Sequence, residues 1–363
     1  MGCSCGKTND SAKSSKFYIL GTITKKRSCN IYLAYRSPSH EFGLDYTIIT
    51  EKVNNADFDY IDNYGSLATN ARTYRYLSNS QIRELDELCL NKTLCILKCV
   101  KLPEDEYSAQ HLKQKVLREE SALEALREEE WTVNLYEAFE HIDSVYLCME
   151  YLWRGTLYDY IRYNGSLPLK LVKNFALQIL QIIEALHGSC WTHRDITSAN
   201  IMISKDCKLK LIDFEFAQKL NSDCERMTSF LGTKYYMPPE VYACDPDLGL
   251  KSEYGKESDF WYMGVIIYEM VTGYLPFDLR NTDEHSLYKM IKTSPQTLDF
   301  TKVKDKNALD LIKGLLTGNT QERLGYTGGT HTIKNHEFFQ DIERNTDICI
   351  KTIRESDFGM FEV

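Results

Sequence analysis

Short apolar runs broken by glycine-containing turns fill the first part of the chain, and apolar positions at helical spacing take over beyond Leu152. Two early stretches look alike. "FYILGTITKKRSCNIYLAY" at 17–35 and "FDYIDNYGSLATNARTYRYLS" at 58–78 each predict a pair of strands around a turn. A further strand is predicted at 93–101, "TLCILKCVK", where inward and outward residues alternate and Lys98 stands near the end. The charged run "SAQHLKQKVLREESALEALREEE" repeats its apolar positions at helical spacing and predicts a helix. "VYLCMEYL" at 145–152 has the continuous apolarity of a buried strand and leads through the loop "WRGT" into mostly helical sequence. There "LPLKLVKNFALQILQIIEALHGSC" predicts a long amphipathic helix with Gly188 near its end. This order, a small β-rich lobe and then a larger α-helical one, predicts a bilobal α+β fold.

Composition changes this picture little. The chain has 363 residues, 43% apolar and 26% charged, enough to bury a sizeable core. A formal charge of −9 argues against a broad nucleic-acid-binding face, so proteins and small molecules are the expected partners, with no nucleic acid. The 12 cysteines form no CxxC pair and no zinc-type cluster with histidine, so a reduced, cytoplasmic chain is expected. The most apolar segment, "FWYMGVIIYEMVTGYLPF" at 260–277, approaches membrane-spanning length. It carries Glu269, Gly264, Gly273 and Pro276, however, and a buried core helix is the expectation.

The N-terminus changes the picture more. "MGCSCGK" exposes Gly2 once Met1 is removed, sets Cys3 and Cys5 beside it, and is followed by Lys13 and Lys16. It resembles the start of doubly acylated signalling proteins, although Gly6 stands where Ser or Thr is usual. One acyl chain gives only marginal binding, so acylation of the cysteines would hold the protein at the cytosolic face of a membrane.

Candidate chemistry gathers in two places. "THRDITSANIMI" puts Asp195 and Asn200 in a loop between the long helix and a strand, and "KLIDFEFAQ" puts Asp213 at the end of the next strand. Taken in order with Lys98, Glu119, "GTKYYMPPE", "SDFWYMGVIIYEMVTG" and "RLGYTGGTHTIKNHEFF", these stretches resemble the eukaryotic protein kinases. Of these, "GTKYYMPPE" and "RLGYTGGTHTIKNHEFF" are similar to the AGC group, in particular the catalytic subunits of cyclic-nucleotide-dependent kinases. The resemblance implies a tail at 1–16, an N-terminal extension or small-lobe insertion at 17–56, a kinase domain at 57–339 and a C-terminal tail at 340–363. It also implies ATP and Mg2+ as cofactors and a protein substrate, with a regulatory subunit or upstream kinase as a possible further partner.

Each residue then has an implied task, because phosphoryl transfer depends on positioning and charge. Lys98 would contact the α and β phosphates, paired with Glu119; Glu120 is the alternative partner. Ile96, Met149, Glu150, Leu152 and Met202 would line the nucleotide site. Asp195 would orient the substrate hydroxyl and accept its proton, Thr233 would touch Asp195, and Asn200 and Asp213 would hold magnesium. Arg194 would meet a phosphate on Ser229 or Thr228. Glu240, Arg323 and Asp259 would hold the large lobe together. One of the two early hairpins would cover the nucleotide. Shorter connection to Lys98 favours 58–78, with Gly65 at its turn, over 17–35, with Gly21. The literal "DFG" at 357–359 has no strand before it and is set aside, and the final "FGMF" resembles the aromatic end of some AGC tails.

Four departures keep a pseudokinase open beside the kinase reading, and a small-molecule kinase of related fold is a third class that would not need the peptide-docking segment 229–240. Glu215 replaces the glycine after Asp213 and Phe214, Thr197 replaces a lysine, Ile96 replaces a small residue, and neither hairpin has the full glycine pattern. A carboxylate about 8 Å from a phosphate would cost on the order of 2 kcal/mol at an effective dielectric near 20. Loss of the lysine's hydrogen bond would cost about 1.5 to 3 kcal/mol, roughly ten- to a hundredfold in rate. A slow Ser/Thr protein kinase is favoured, with a pseudokinase scaffold as the alternative. Glu269 matches one acidic residue that receives substrate arginines, whereas Thr156 and Ala199 stand where two others would be.

Overall fold

The computed structural model describes residues 14–25, 29–36, 45–49, 94–127, 129–277 and 282–340, which fall into two units. The first comprises Met1–Gln110 and Leu135–Tyr151. It is built on a six-stranded sheet of β1 (Ser14–Lys25), β2 (Cys29–Arg36), β3 (Asp45–Ile49), β4 (Leu94–Lys101), β5 (Leu135–His141) and β6 (Ser144–Glu150), in the order β3-β1-β2-β4-β6-β5. Neighbours are antiparallel except β1 and β3, which are parallel. On one face Phe17, Ala34, Cys95, Leu97, Phe139 and Cys148 are buried together, with Phe139 stacked between Phe17 and Tyr146 at 5.3 and 5.1 Å. Ile96 and Lys98 have the opposite parity on β4 and share the other face with their cross-strand partners Leu33, Met149, Ile31 and Leu147.

The structure sets the 17–35 hairpin, the one with the longer connection, beside the Lys98 strand. β2 pairs with β4 from Cys29↔Val100 to Tyr35↔Leu94, which puts the 17–35 hairpin next to Lys98. Residues 17–36, expected as an extension or insertion, thus belong to the same sheet as Lys98. The stretch 58–78 and Gly65 lie outside the described residues. Connection length is a weak guide here because doubling a loop costs only about 0.6 kcal/mol, whereas a matched strand register buries a whole row of side chains.

The second unit, His111–Asn134 and Leu152–Val363, is mainly helical. Its elements include most of α1 (Glu106–Ala125), α2 (Leu157–Asn164), α3 (Leu169–Gly188), the short strands β7 (Trp191–Thr192), β8 (Ile201–Ile203), β9 (Leu209–Leu211) and β10 (Gln218–Lys219), α4 (Pro239–Tyr242) and α5 (Ser258–Thr272). The 260–277 segment forms a core helix as far as Thr272, and α5 is buried from Ser258 to Met270. A Cβ at Gly264 would lie 2.8 Å from Leu315, so the glycine permits close packing there. Among the described residues no helix is long and apolar enough to cross a membrane. α3 ends at Gly188, but the left-handed residue that turns the chain is Cys190, with φ +61°.

Candidate active site

The chain leaves α3 through β7 into the loop 193–200, whose floor is Asp259 near the start of α5. Asp259 Oδ2 accepts from Thr192 Oγ1 at 2.7 Å, His187 Nε2 at 2.9 Å and His193 N at 3.4 Å, and Oδ1 accepts from Arg194 N at 3.2 Å. Burial pushes this carboxyl up, but His187 and Thr192 outweigh it and hold its pKa below the ordinary aspartate value. These bonds fix Arg194 in the left-handed region at φ +67°, a conformation that needs such support. The loop can then present Asp195 on its far side. Asp195 Oδ1 accepts from Thr233 N at 2.7 Å, and Oδ2 accepts from Asn200 Nδ2 at 3.1 Å. Burial raises the Asp195 pKa, against the hydrogen bonds of Thr233 and the charge of His193. A carboxylate so placed is a stronger proton acceptor than a solvated one.

Thr197, which stands where a lysine is expected, has a local use. Its hydroxyl accepts from Asn200 N at 3.2 Å and caps the turn 198–200. Asn200 is therefore fixed twice, through its backbone N–H and through its side-chain NH2 on Asp195. Thr156 is likewise a cap: it forms a reciprocal capping box with Asp159 at the start of α2.

β8 and β9 pair antiparallel and deliver Asp213 at the mouth of the next turn. Asp213 is left-handed, φ +61°, and opens a single helical turn, Phe214–Phe216. Side chains from the loop and from α1 hold that turn. The Phe214 ring lies edge-on to His193 at 4.9 Å, Arg194 Nε donates to Phe216 O at 2.6 Å, and Lys115 Nζ meets Glu215 Oε1 at 2.6 Å. Arg194 is thus only 4% exposed and engaged by the turn.

The segment that follows returns over the loop. Gly232, φ +119°, is required: a Cβ there would lie 2.8 Å from Arg194 O and 2.8 Å from Tyr262 OH. Tyr236 OH donates to Glu269 Oε2 at 2.7 Å and lies 2.8 Å from Ser198 Oγ. Glu269, matched in sequence to an acid that receives substrate arginines, is only 3% exposed and is committed to this network. Burial raises its pKa. Glu240 on α4 receives both Nη groups of Arg323, at 2.5 and 2.7 Å, and the guanidinium lies over Trp261 at 5.0 Å. Thr228 and Ser229 are exposed, and the Ser229 carbonyl accepts from Tyr254 OH at 2.8 Å.

With this geometry in place, comparison with known proteins matches residues 87–339, well over half the chain, to the protein kinase domain. The chain belongs to the protein kinase domain family. It is 33% identical over 211 residues to the cAMP-dependent protein kinase catalytic subunit of Dictyostelium discoideum, covering 58% of this chain and 30% of that one. To the serine/threonine-protein kinase gad8 of Schizosaccharomyces pombe it is 32% identical over 222 residues, 61% of this chain and 37% of that one. To the cAMP-dependent protein kinase catalytic subunit 3 of Drosophila melanogaster it is 27% identical over 297 residues, 81% and 47% of the two chains. The chain thus spans from under a third to about half the length of these relatives. Its domain is AGC-like, as the end of the 213–240 segment suggests.

In this kinase domain the second unit brings Arg194, Asp195, Asn200, Asp213, Thr233 and Asp259 together. Met202 lies on β8, bridged to Thr156, and Leu152 is buried at the start of the unit's second stretch. Glu119 is 2% exposed on α1, while its neighbour Glu120 is half-buried, which favours Glu119 as the inward acid. Lys98, Ile96, Met149 and Glu150 belong to the sheet of the first unit, where Lys98 is 7% exposed. Gly2, Cys3, Cys5, the 357–359 "DFG" and the "FGMF" lie outside the described residues. Lys115 and Gly232 are site residues that do not stand out in the sequence. The spacing of four between Lys115 and Glu119 was the available signal for the first.

Proposed function

We propose that the chain is an ATP- and magnesium-dependent Ser/Thr protein kinase that transfers the γ-phosphate to protein hydroxyls. The observation that carries this reading is the placement of the Asp195 carboxylate between the Asn200 amide and the Thr233 N–H, at 3.1 and 2.7 Å. So held, Asp195 would align a substrate hydroxyl and take its proton, while Lys98 would hold the α and β phosphates. Among the described residues no three His, Cys, Asp or Glu side chains are grouped to hold a metal. The Asp213 carboxylate and the Asn200 side-chain oxygen fit magnesium, which is commonly held by one or two protein groups, phosphates and water. Bound there, magnesium would neutralise charge on the β and γ phosphates.

The Thr197 replacement favours a slow enzyme, and a pseudokinase scaffold is the second reading. Purified protein with magnesium and radiolabelled ATP separates them. The kinase reading expects transfer to Ser or Thr of a peptide that Asp195→Asn abolishes; a wild type no faster than that variant supports the scaffold. The exposed Ser229 and Thr228 are the sites where an upstream kinase would act. "MGCSCGK" supports attachment to the cytosolic face of a membrane through Gly2, Cys3 and Cys5. Replacing both cysteines by serine should release the protein to the cytosol with catalysis unchanged; retention on membranes by Gly2→Ala would contradict acylation.

A further inference from the structure

Glu215 places a negative charge in the turn that Asp213 opens, where it would oppose a bound phosphate. Lys115 answers that charge from α1. Its Nζ lies 2.6 Å from Glu215 Oε1 and 5.4 Å from the centre of the Phe216 ring, and the two side chains are 29% and 35% exposed. An ion pair on open surface contributes little. This one is half-buried, backed by an aromatic ring, and joins elements 100 residues apart in sequence. Lys115 also precedes Glu119 by one helical turn, so the two share a face of α1. The catalytic loop holds the same turn through His193 and Arg194; Lys115 adds the tie to the helix.

We propose that the Lys115–Glu215 pair is a positioning link that joins the helix carrying Glu119 to the turn carrying Asp213 and cancels the charge Glu215 would present to phosphate. The glutamate is then half of a matched pair and not a remnant of a lost glycine. The charge-cancelling part rests on the kinase reading, and the link itself does not.

The test compares the full chain with Lys115→Gln, Glu215→Gln and the swap Lys115→Glu with Glu215→Lys. Hydrogen exchange is followed at amides of 112–123 and 213–217, and the dissociation constant for ATP with magnesium is measured. Each single change should speed exchange about three- to fivefold in both elements, and the swap should bring it back within about twofold. Lys115→Gln leaves Glu215 uncompensated and should weaken nucleotide binding about fivefold, whereas Glu215→Gln should stay within about twofold of wild type. A side chain that merely stabilised the fold would not produce that asymmetry. Unchanged exchange in both single variants overturns the link, and equal dissociation constants in the two overturn the charge cancellation. If the wild type binds no ATP, the kinase reading and its charge-cancelling corollary fail together, and exchange alone decides the link.

Discussion

Replacing Asp259 by asparagine changes almost no volume but removes one charge and half the acceptors from the floor of the catalytic loop. The native carboxylate receives Thr192 Oγ1 at 2.7 Å and His187 Nε2 at 2.9 Å, with His193 N at 3.4 Å and Arg194 N at 3.2 Å beyond them. Hydrogen bonds to a charged acceptor contribute about 1.5 to 3 kcal/mol and neutral ones about 1, so the two short bonds lose about 1 kcal/mol apiece. The new NH2 must also face a donor; the less costly orientation sets it against the single Arg194 N–H, at about 2 kcal/mol, since the other oxygen receives Thr192, His187 and His193. The total, about 4 kcal/mol, exceeds the roughly 1 to 3 kcal/mol of strain stored in a left-handed residue such as Arg194. The loop should therefore relax and release Asp195. In a single-turnover assay the transfer rate should fall about a hundredfold or more, with the KM for ATP changed less than about threefold and Tm lowered by about ten degrees. An asparagine variant with the lowered Tm but a rate within about threefold of wild type would refute the reasoning. Asp259 would then support the fold without positioning the loop.

The same carboxylate sets a pH dependence. Its folded pKa is lowered, so its stabilisation is present above the unfolded value of about 3.9 and is lost as pH falls through the folded one. The Tm difference between wild type and Asp259→Asn should shrink as pH falls below about 4; a constant gap contradicts this. Gly232→Ala should lower kcat by more than about tenfold, since a Cβ would lie 2.8 Å from Arg194 O; unchanged kcat would contradict the close approach. Arg323→Met should cost about 3 to 5 kcal/mol by stranding the buried Glu240, read by calorimetry as a Tm lower by about ten degrees, and Arg323→Met with Glu240→Gln should recover part of it. Thr197→Ala should remove a cap of about 1 kcal/mol and raise the magnesium concentration for half-maximal rate about fivefold; no change would mean that Asn200 is held without it.

Elements whose faces must be buried were legible from pattern. β4, β6, α1 and α3 stand where alternation and helical spacing put them, within a residue or two at most ends, except that α1 stops at Ala125. The hairpin beside Lys98 was not, because strand partnership depends on a register formed across a long connection that local pattern does not encode. The acidic and polar residues of the loop were legible as a set. Their partners were less so: Thr197 and Thr156 look like losses until their backbones are seen, when both prove to be caps. Glu269 reads as an available acid, yet Tyr236 occupies it. Glu215 reads as a defect because its partner, Lys115, comes from a distant helix.

If Asp195, Asn200 and Asp213 form a working phosphoryl-transfer site, labelled phosphoserine or phosphothreonine should be directly detectable in a peptide. Wild type and Asp213→Asn are incubated with γ-labelled ATP, with and without magnesium, and the product is hydrolysed to identify the modified residue. Magnesium-dependent label on Ser or Thr is expected from the wild type and none above background from the variant; equal label from both, or none from either, would mean that these residues do not transfer phosphate.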